Sequence, residues 1–247
     1  MLIGLLILRL PLLTGLGTFV HPGPEWLLPA FEGGTYILTA LLLVWERDRL
    51  ALFHVDGWAL AIYVGAPLLA LVNREFFLLS RVQVGCVAFL LLAFIVTRPK
   101  LPNMRSHTVI WIGVGVGIAL GLFNALCLQW RAGAALRPAL DLSILPGQIL
   151  IQTTRAAAFE EPLFRAFLWG YLKLAGWKDR PIWLLQAALF WLGHLYYFAG
   201  NPISFWVVVP TGGLVIGWVA WRTRSMGASM LTHGLGNAIG ILGNFHW

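Results

Sequence analysis

The sequence predicts an all-α fold, a multi-pass transmembrane helical bundle of about 8–9 spans. Its 247 residues are 59% hydrophobic and only 11% charged, whereas an ordinary soluble domain is nearer a quarter charged. A span needs about 20 mostly apolar residues, and several of the apolar stretches are short or broken by proline, so eight spans fit as well as nine. The stretches are 2–20, 27–45, 57–73, 82–97, 107–130, 147–172, 181–200, 203–221 and 226–246.

The first stretch, 2–20, has no basic region before it and no Ala-x-Ala-like cleavage site after it, so we expect it to be retained rather than removed as a signal peptide. Cys86 and Cys127 fall in different apolar stretches. Neither has the CxxC neighbour that zinc sites usually show. Both are predicted to be packing residues rather than a disulfide or a metal pair.

The net charge of +7 comes from basic residues scattered between the apolar stretches, which form no patch and therefore exclude a nucleic-acid partner. With nine spans and a cytoplasmic N-terminus, ten of the 17 Lys and Arg residues fall in inside loops and four in outside loops. This asymmetry is typical of an integral membrane protein. For a prokaryotic host we expect the plasma (inner) membrane.

Glycines recur at four-residue spacing in three of the stretches. Small residues at this spacing let helix backbones approach closely in lipid. We therefore interpret them as packing surfaces rather than ligand cradles. They are Gly113, Gly117 and Gly121, then Gly213 and Gly217, then Gly236 and Gly240.

Charged side chains inside a span are costly and mark candidate functional sites, and the stretch 147–172 contains four: Arg155, Glu160, Glu161 and Arg165. Glu161 and Arg165 are i, i+4 on one helical face, the favourable order for an ion pair. Glu160 points elsewhere and is therefore available for chemistry. The alternatives are a structural salt-bridge network or a proton path.

Two later stretches contribute His194, and His233 with Asn237 one turn further on. A lone histidine in an apolar helix is often a packing residue, but three polar helices together favour a shared site. At a rise of about 1.5 Å per residue, Glu160 and His194 each lie roughly 20 Å from the cytoplasmic ends of their helices, and His233 lies roughly 10–16 Å from its own. All three can therefore meet inside the membrane.

These residues resemble the motifs of the CPBP family (CAAX protease and bacteriocin-processing, also called Abi) of intramembrane glutamic endopeptidases, which includes the Rce1-type CAAX prenyl proteases. The resemblance covers roughly residues 147–240. It implies a CPBP/Abi-like catalytic core at 141–247, with transmembrane helices of uncertain role at 1–140, in one integrated membrane domain. The family motifs EExxxR, FxxxH and HxxxN match Glu160-Glu161-x-x-x-Arg165, Phe190-x-x-x-His194 and His233-x-x-x-Asn237.

The resemblance implies that Glu160 and His194 activate a water, while His233 and Asn237 stabilise the oxyanion and Glu161 and Arg165 support the site. A positioned carboxylate base and hydrogen-bond donors aimed at developing negative charge also make chemical sense without the family. The expected activity is cleavage of a membrane protein or lipidated peptide near its C-terminus. A CAAX tail, a bacteriocin-type peptide and a sorting tail all remain open as substrates.

No cofactor is expected. Zinc is the alternative, because Glu160, His194 and His233 are potential ligands, but there is no HExxH motif. The resembling family is regarded as metal-independent. Two other functions stay open: a proton-coupled transporter using the same three residues as a relay, and a non-catalytic bacteriocin-immunity or scaffold protein. Against a transporter, the chain shows no inverted repeat and no paired broken helices.

Overall fold

The computed structural model describes residues 27–72, 77–131, 142–195 and 197–242, and these residues form helices without β-strands. This confirms the all-α fold. The predicted stretch 2–20 lies outside the described residues, as do the last residues of the stretch 226–246. The helices are α1 (Leu27–Trp45), α2 (Gly57–Val72), α3 (Phe77–Thr97), α4 (His107–Arg131), α5 (145–174), α6 (Asp179–Leu192), α7 (Tyr197–Gly200), α8 (Ser204–Thr223) and α9 (Met226–Ile241).

Two helices of the described ranges, His107–Trp130 and Ser204–Thr223, are each long and apolar enough to cross a bilayer. A third span is added if the 3₁₀ turn Arg47–Phe53 and the helix Gly57–Leu69, which meet at 106°, cross together. The helices begin and end within about five residues of the apolar stretches from residue 27 onward, except that the stretch 181–200 is divided into α6 and α7. The total of 8–9 spans is not confirmed and stays a prediction.

Helix α5 differs from the uniform α-helix expected for the stretch 147–172. It contains two π turns, Thr153–Ala157 and Pro162–Leu168, on either side of the short α segment Ala158–Glu161. A π turn frees backbone carbonyls, and the amide of the buried Gln83 donates to the Thr154 carbonyl at 3.4 Å. Such bulges are frequent at functional sites, and here they flank the two glutamates.

The glycines of α4 let it lie directly against α9, which confirms the predicted packing surface. A Cβ on Gly113 would meet the Ala228 carbonyl oxygen at 2.6 Å, and one on Gly117 would meet Thr232 Cα at 3.0 Å. The Thr232 hydroxyl donates to the Gly113 carbonyl at 3.0 Å. The remaining predicted glycines also face neighbouring helices: Gly121, Gly213, Gly217, Gly236 and Gly240.

Asp56, which directly precedes α2, holds the first residues of α9 in place. Its carboxylate accepts from the Ser225 hydroxyl at 2.5 Å and from the Gly227 N–H at 3.3 Å. Ser225 is the N-cap of α9 and accepts from the Ala228 N–H at 3.0 Å, the side-chain cap that satisfies a free helix donor. This capping places α9, and with it His233, relative to α2.

The apolar core lies between α1, α2, α3, the 3₁₀ turn and α5, with a few residues from α6, α8 and α9. Tyr36 and Tyr63 stack at 4.4 Å between ring centroids, and each hydroxyl donates to the other's backbone carbonyl. Cys86 is buried in this core, Cys127 is half-buried, and both are free thiols. Cys86 therefore packs in the core, as predicted.

Candidate active site

Glu160, His194 and His233 converge on one point, although they belong to α5, the turn after α6, and α9. His194 Nε2 lies 3.8 Å from Glu160 Oε1, and His233 Nε2 lies 3.6 Å from Glu160 Oε2. All three residues are buried. The structure thus brings together the three side chains that the depth argument expected to meet, with the carboxylate between the two imidazoles.

The local backbone at His194 differs from the prediction of a histidine well inside a helix spanning 181–200. Helix α6 ends at Leu192, and His194 lies in the turn that precedes α7. The reason is a competing hydrogen bond: the His194 backbone N–H bonds to Trp191 O, while its side-chain Nδ1 lies 2.7 Å from Phe190 O. The imidazole therefore satisfies a carbonyl at the end of the helix, where no backbone donor remains.

This contact also fixes the tautomer of His194. A carbonyl oxygen only accepts, so Nδ1 must carry the hydrogen and donate it. In the neutral ring, Nε2 then presents its lone pair toward Glu160 and the cavity. The turn at residues 193–195 thus aims the basic nitrogen of the ring at the carboxylate.

His233 is held from its other side by the second glutamate. Its Nδ1 lies 2.8 Å from Glu161 Oε1, and Arg165 Nη1 lies 3.4 Å from the same oxygen. The Glu161 and Arg165 side chains are completely buried. The predicted i, i+4 ion pair is confirmed, but its contact with His233 was not foreseen.

Phe190 fills the space between these groups. The Arg165 guanidinium carbon lies 4.4 Å from the centre of the Phe190 ring, within the range of a cation–π contact. The same ring contacts His194 and His233, with centroids 4.6 and 5.8 Å apart. The aromatic residue of the FxxxH motif therefore packs against both imidazoles and the buried cation.

Asn237 follows His233 by one turn of α9, so both face the cavity. Its Nδ2 donates to Gln152 Oε1 at 3.4 Å. Because a primary amide carries two N–H hydrogens, one remains for another acceptor. Gln152 thus orients the amide that the family resemblance assigns to the oxyanion.

The site opens into a cavity of about 400 Å³. Its polar wall combines Glu160, both histidines and the Gln152–Asn237 pair. Tyr197, Asn201 and Ser204 contribute further polar groups, and the rest of the lining is largely apolar: Leu120, Leu128, Val208, Val209, Ile216 and Ile241. The arrangement suits a ligand with one polar reacting group and an apolar remainder.

Sequence reasoning assigned no role to three residues that line this cavity, Gln152, Asn124 and Phe190. Gln152 and Asn124 are polar side chains inside apolar helices, the same signal that singled out Glu160, and Phe190 is part of a quoted motif. The side chain of Arg155, the fourth charged residue of the stretch 147–172, lies outside the described part of the structure.

Within ranges 27–72, 77–131, 142–195 and 197–242, no three His, Cys, Asp or Glu side chains are arranged to hold a metal ion.

The family model of the Rce1-like type II CAAX prenyl endopeptidases matches residues 143–239. This match supports the resemblance seen in the three motifs, over the C-terminal part of the chain that contains Glu160, His194 and His233. No curated protein and no solved structure matches the chain. The family match and the apolar helices together indicate an integral membrane protein.

Proposed function

We propose that this protein is a glutamate-dependent intramembrane endopeptidase that needs no metal and cleaves a membrane-associated protein or lipidated peptide near its C-terminus. A CAAX-type tail is the substrate that the family name favours. The observation that carries the proposal is the position of the Glu160 carboxylate between His194 Nε2 and His233 Nε2, at 3.8 and 3.6 Å, in a cavity wall.

Water activation is the task of Glu160 and His194. Their 3.8 Å separation is beyond direct hydrogen-bond reach and suits two acceptors that share one bridging water. Such a water donates one hydrogen to the carboxylate and one to Nε2, and its lone pair faces the scissile carbonyl carbon. Glu160 takes the proton as the C–O bond forms, and the proton then passes to the amine nitrogen as the C–N bond breaks.

Oxyanion stabilisation is the task of His233 and Asn237. Asn237 offers the amide hydrogen that Gln152 does not use. His233 donates through Nε2 when its ring carries a hydrogen on both nitrogens, with Nδ1 held by Glu161. Donors that are fixed before the reaction are each worth about 3 kcal/mol of transition-state stabilisation.

The membrane arrangement completes the proposal. We propose 8–9 spans, with residues 141–247 forming the catalytic core, residues 1–140 forming further transmembrane helices, and the plasma membrane as the location if the host is prokaryotic. The apolar lining of the cavity favours a substrate delivered from lipid over a free soluble peptide.

The test is cleavage of a synthetic farnesylated CAAX peptide by the full chain in lipid nanodiscs, read by mass spectrometry. Glu160→Gln should lower the rate by roughly 10²–10⁴-fold, the usual contribution of a general base, while leaving the melting temperature unchanged. Asp48→Asn, which alters an exposed carboxylate, should cleave like the wild type. Near-normal cleavage by Glu160→Gln would contradict the assigned base.

Metal independence has its own test. Cleavage should persist after dialysis against EDTA and in the presence of 1,10-phenanthroline. Loss of activity that returns on adding Zn²⁺ would instead make Glu160, His194 and His233 ligands of a zinc ion.

A further inference from the structure

Asn124 is a buried polar residue on α4, outside the region 143–239 that the family model matches. Its side chain forms part of the cavity wall and is only 6% exposed. Gly240 makes room for it, because a Cβ at position 240 would meet Asn124 Cβ at 3.0 Å. An N-terminal helix therefore contributes an amide to the same cavity as Glu160.

The hydrogen bonding of this amide is incomplete. Nδ2 donates to the Gly236 carbonyl at 3.4 Å, a long contact. Because the Gly236 carbonyl can only accept, the amide turns Nδ2 rather than Oδ1 toward it. Among the described residues, no group donates to Asn124 Oδ1, which is closed off from solvent. A buried acceptor without a donor is costly, so a ligand that supplies one gains affinity.

We propose, building on the proposed endopeptidase function, that Asn124 is a substrate-positioning residue whose Oδ1 accepts a hydrogen bond from a backbone N–H of the bound peptide. Oδ1 is closed off from solvent when no peptide is bound, and rotation about the soft χ2 torsion of asparagine, which gives up the long contact with Gly236, turns it into the cavity. The position is suitable because Asn124 contacts Gly236, the residue before Asn237. A peptide whose scissile carbonyl meets Asn237 thus presents a neighbouring N–H within reach of α4.

The experiment replaces each backbone N–H of the farnesylated CAAX peptide in turn by an ester oxygen, leaving the scissile amide intact. With the wild type in nanodiscs, one replacement should raise KM roughly five-fold while kcat changes little, since one neutral hydrogen bond is lost. In Asn124→Leu, KM for the all-amide peptide should rise by a similar factor. The ester replacement that raises KM in the wild type should then have no further effect on this variant. Asn124→Asp, which keeps an acceptor, should remain sensitive to it.

Leu128→Ala is the matched control, because Leu128 lines the same cavity from the same helix without a polar group. It should alter KM for all peptides alike and keep the sensitivity to that ester. Equal ester sensitivity in the wild type and Asn124→Leu would overturn the proposal, as would a wild type insensitive to every ester.

Binding of the same peptides to Glu160→Gln, read by fluorescence anisotropy, separates this proposal from the endopeptidase function. If the wild type cleaves nothing but ester-sensitive binding requires Asn124, the proposed function fails and the role of Asn124 stands. Absence of both cleavage and binding contradicts both.

Discussion

His233 Nδ1 and Glu161 Oε1 lie 2.8 Å apart, so the two adjacent glutamates contact opposite nitrogens of one imidazole. Glu160 lies near Nε2 at the cavity, while Glu161 holds Nδ1 from the buried side, together with Arg165. Neighbouring residues on a helix point about 100° apart, which is what lets consecutive carboxylates take such different positions. The pair therefore divides into a proposed base and a support.

These different roles of Glu160 and Glu161 predict that the same substitution, glutamate to glutamine, affects stability at one position and cleavage at the other. Glu161→Gln removes the counter-ion of Arg165, whose side chain is completely buried, and an uncompensated buried charge costs about 3–5 kcal/mol. We expect its melting temperature in detergent to fall by roughly 10 °C. Glu160→Gln should melt within a few degrees of the wild type and lose only cleavage. A Glu161→Gln protein as stable as the wild type would contradict the structural role of the ion pair.

The sequence predicted those features of the candidate site that depend only on local helix geometry and on the cost of burying charge. Charges inside spans must face one another rather than lipid, which brought Glu160, His194 and His233 together, and i, i+4 spacing gave the Glu161–Arg165 pair. These inferences need only the helical repeat and the cost of burying charge.

What the sequence could not predict depends on tertiary contacts. The π turns of α5 and the end of α6 before His194 arise from hydrogen bonds, such as Nδ1 to Phe190 O, that compete with the regular helix. The approach of Asn124 to Gly236 follows from how α4 packs on α9. Helical periodicity contains no information about either.

Phe190 yields a second prediction, because its ring contacts Arg165, His194 and His233. Phe190→Leu should lose the cation–π contact and part of the packing, lowering the free energy of unfolding by roughly 1–3 kcal/mol. It should also lower kcat, because both imidazoles gain freedom. Thermal unfolding and cleavage assays measure the two effects.

The control for this substitution is Phe198→Leu, which changes an aromatic residue that is 52% exposed and packs on Phe205 and Trp206. It should change stability and kcat little. If it lowered kcat as much as Phe190→Leu, the contact with the imidazoles would not explain the loss.

The lowered pKa of His54 predicts how the stability of the protein depends on pH. His54 lies in the turn before α2, and burial, together with the neighbouring Arg224, lowers its pKa from 6.5 to about 4. Between those values the unfolded chain takes up a proton that the folded protein does not, so stability falls as the pH drops from about 6.5 to about 4 and rises with pH across that window. Melting temperatures measured across it should show this slope.

His54→Asn should flatten that slope, because the titrating group is gone and asparagine tolerates the positive φ of 57° at this position. Protonation of Asp179 does not contribute to this slope above pH 4. The hydrogen bond from Arg224 is the main cause that lowers the pKa of Asp179 to about 2, so its stabilising contribution is lost only between about pH 4 and 2. An unchanged slope in His54→Asn would assign the acid sensitivity to another group.

Two glycines on α4 give a matched test of how α9 is positioned. A Cβ at Gly113 would meet the Ala228 backbone oxygen at 2.6 Å, whereas one at Gly115 would meet nothing within 4 Å. Gly113→Ala should therefore push α9 away, costing roughly 1–3 kcal/mol, and lower kcat, because α9 carries His233 and Asn237. Gly115→Ala should leave kcat unchanged and stability equal or slightly higher, since alanine favours the helix. Thermal melts and cleavage rates compare the pair, and equal effects at both positions would contradict the close α4–α9 contact.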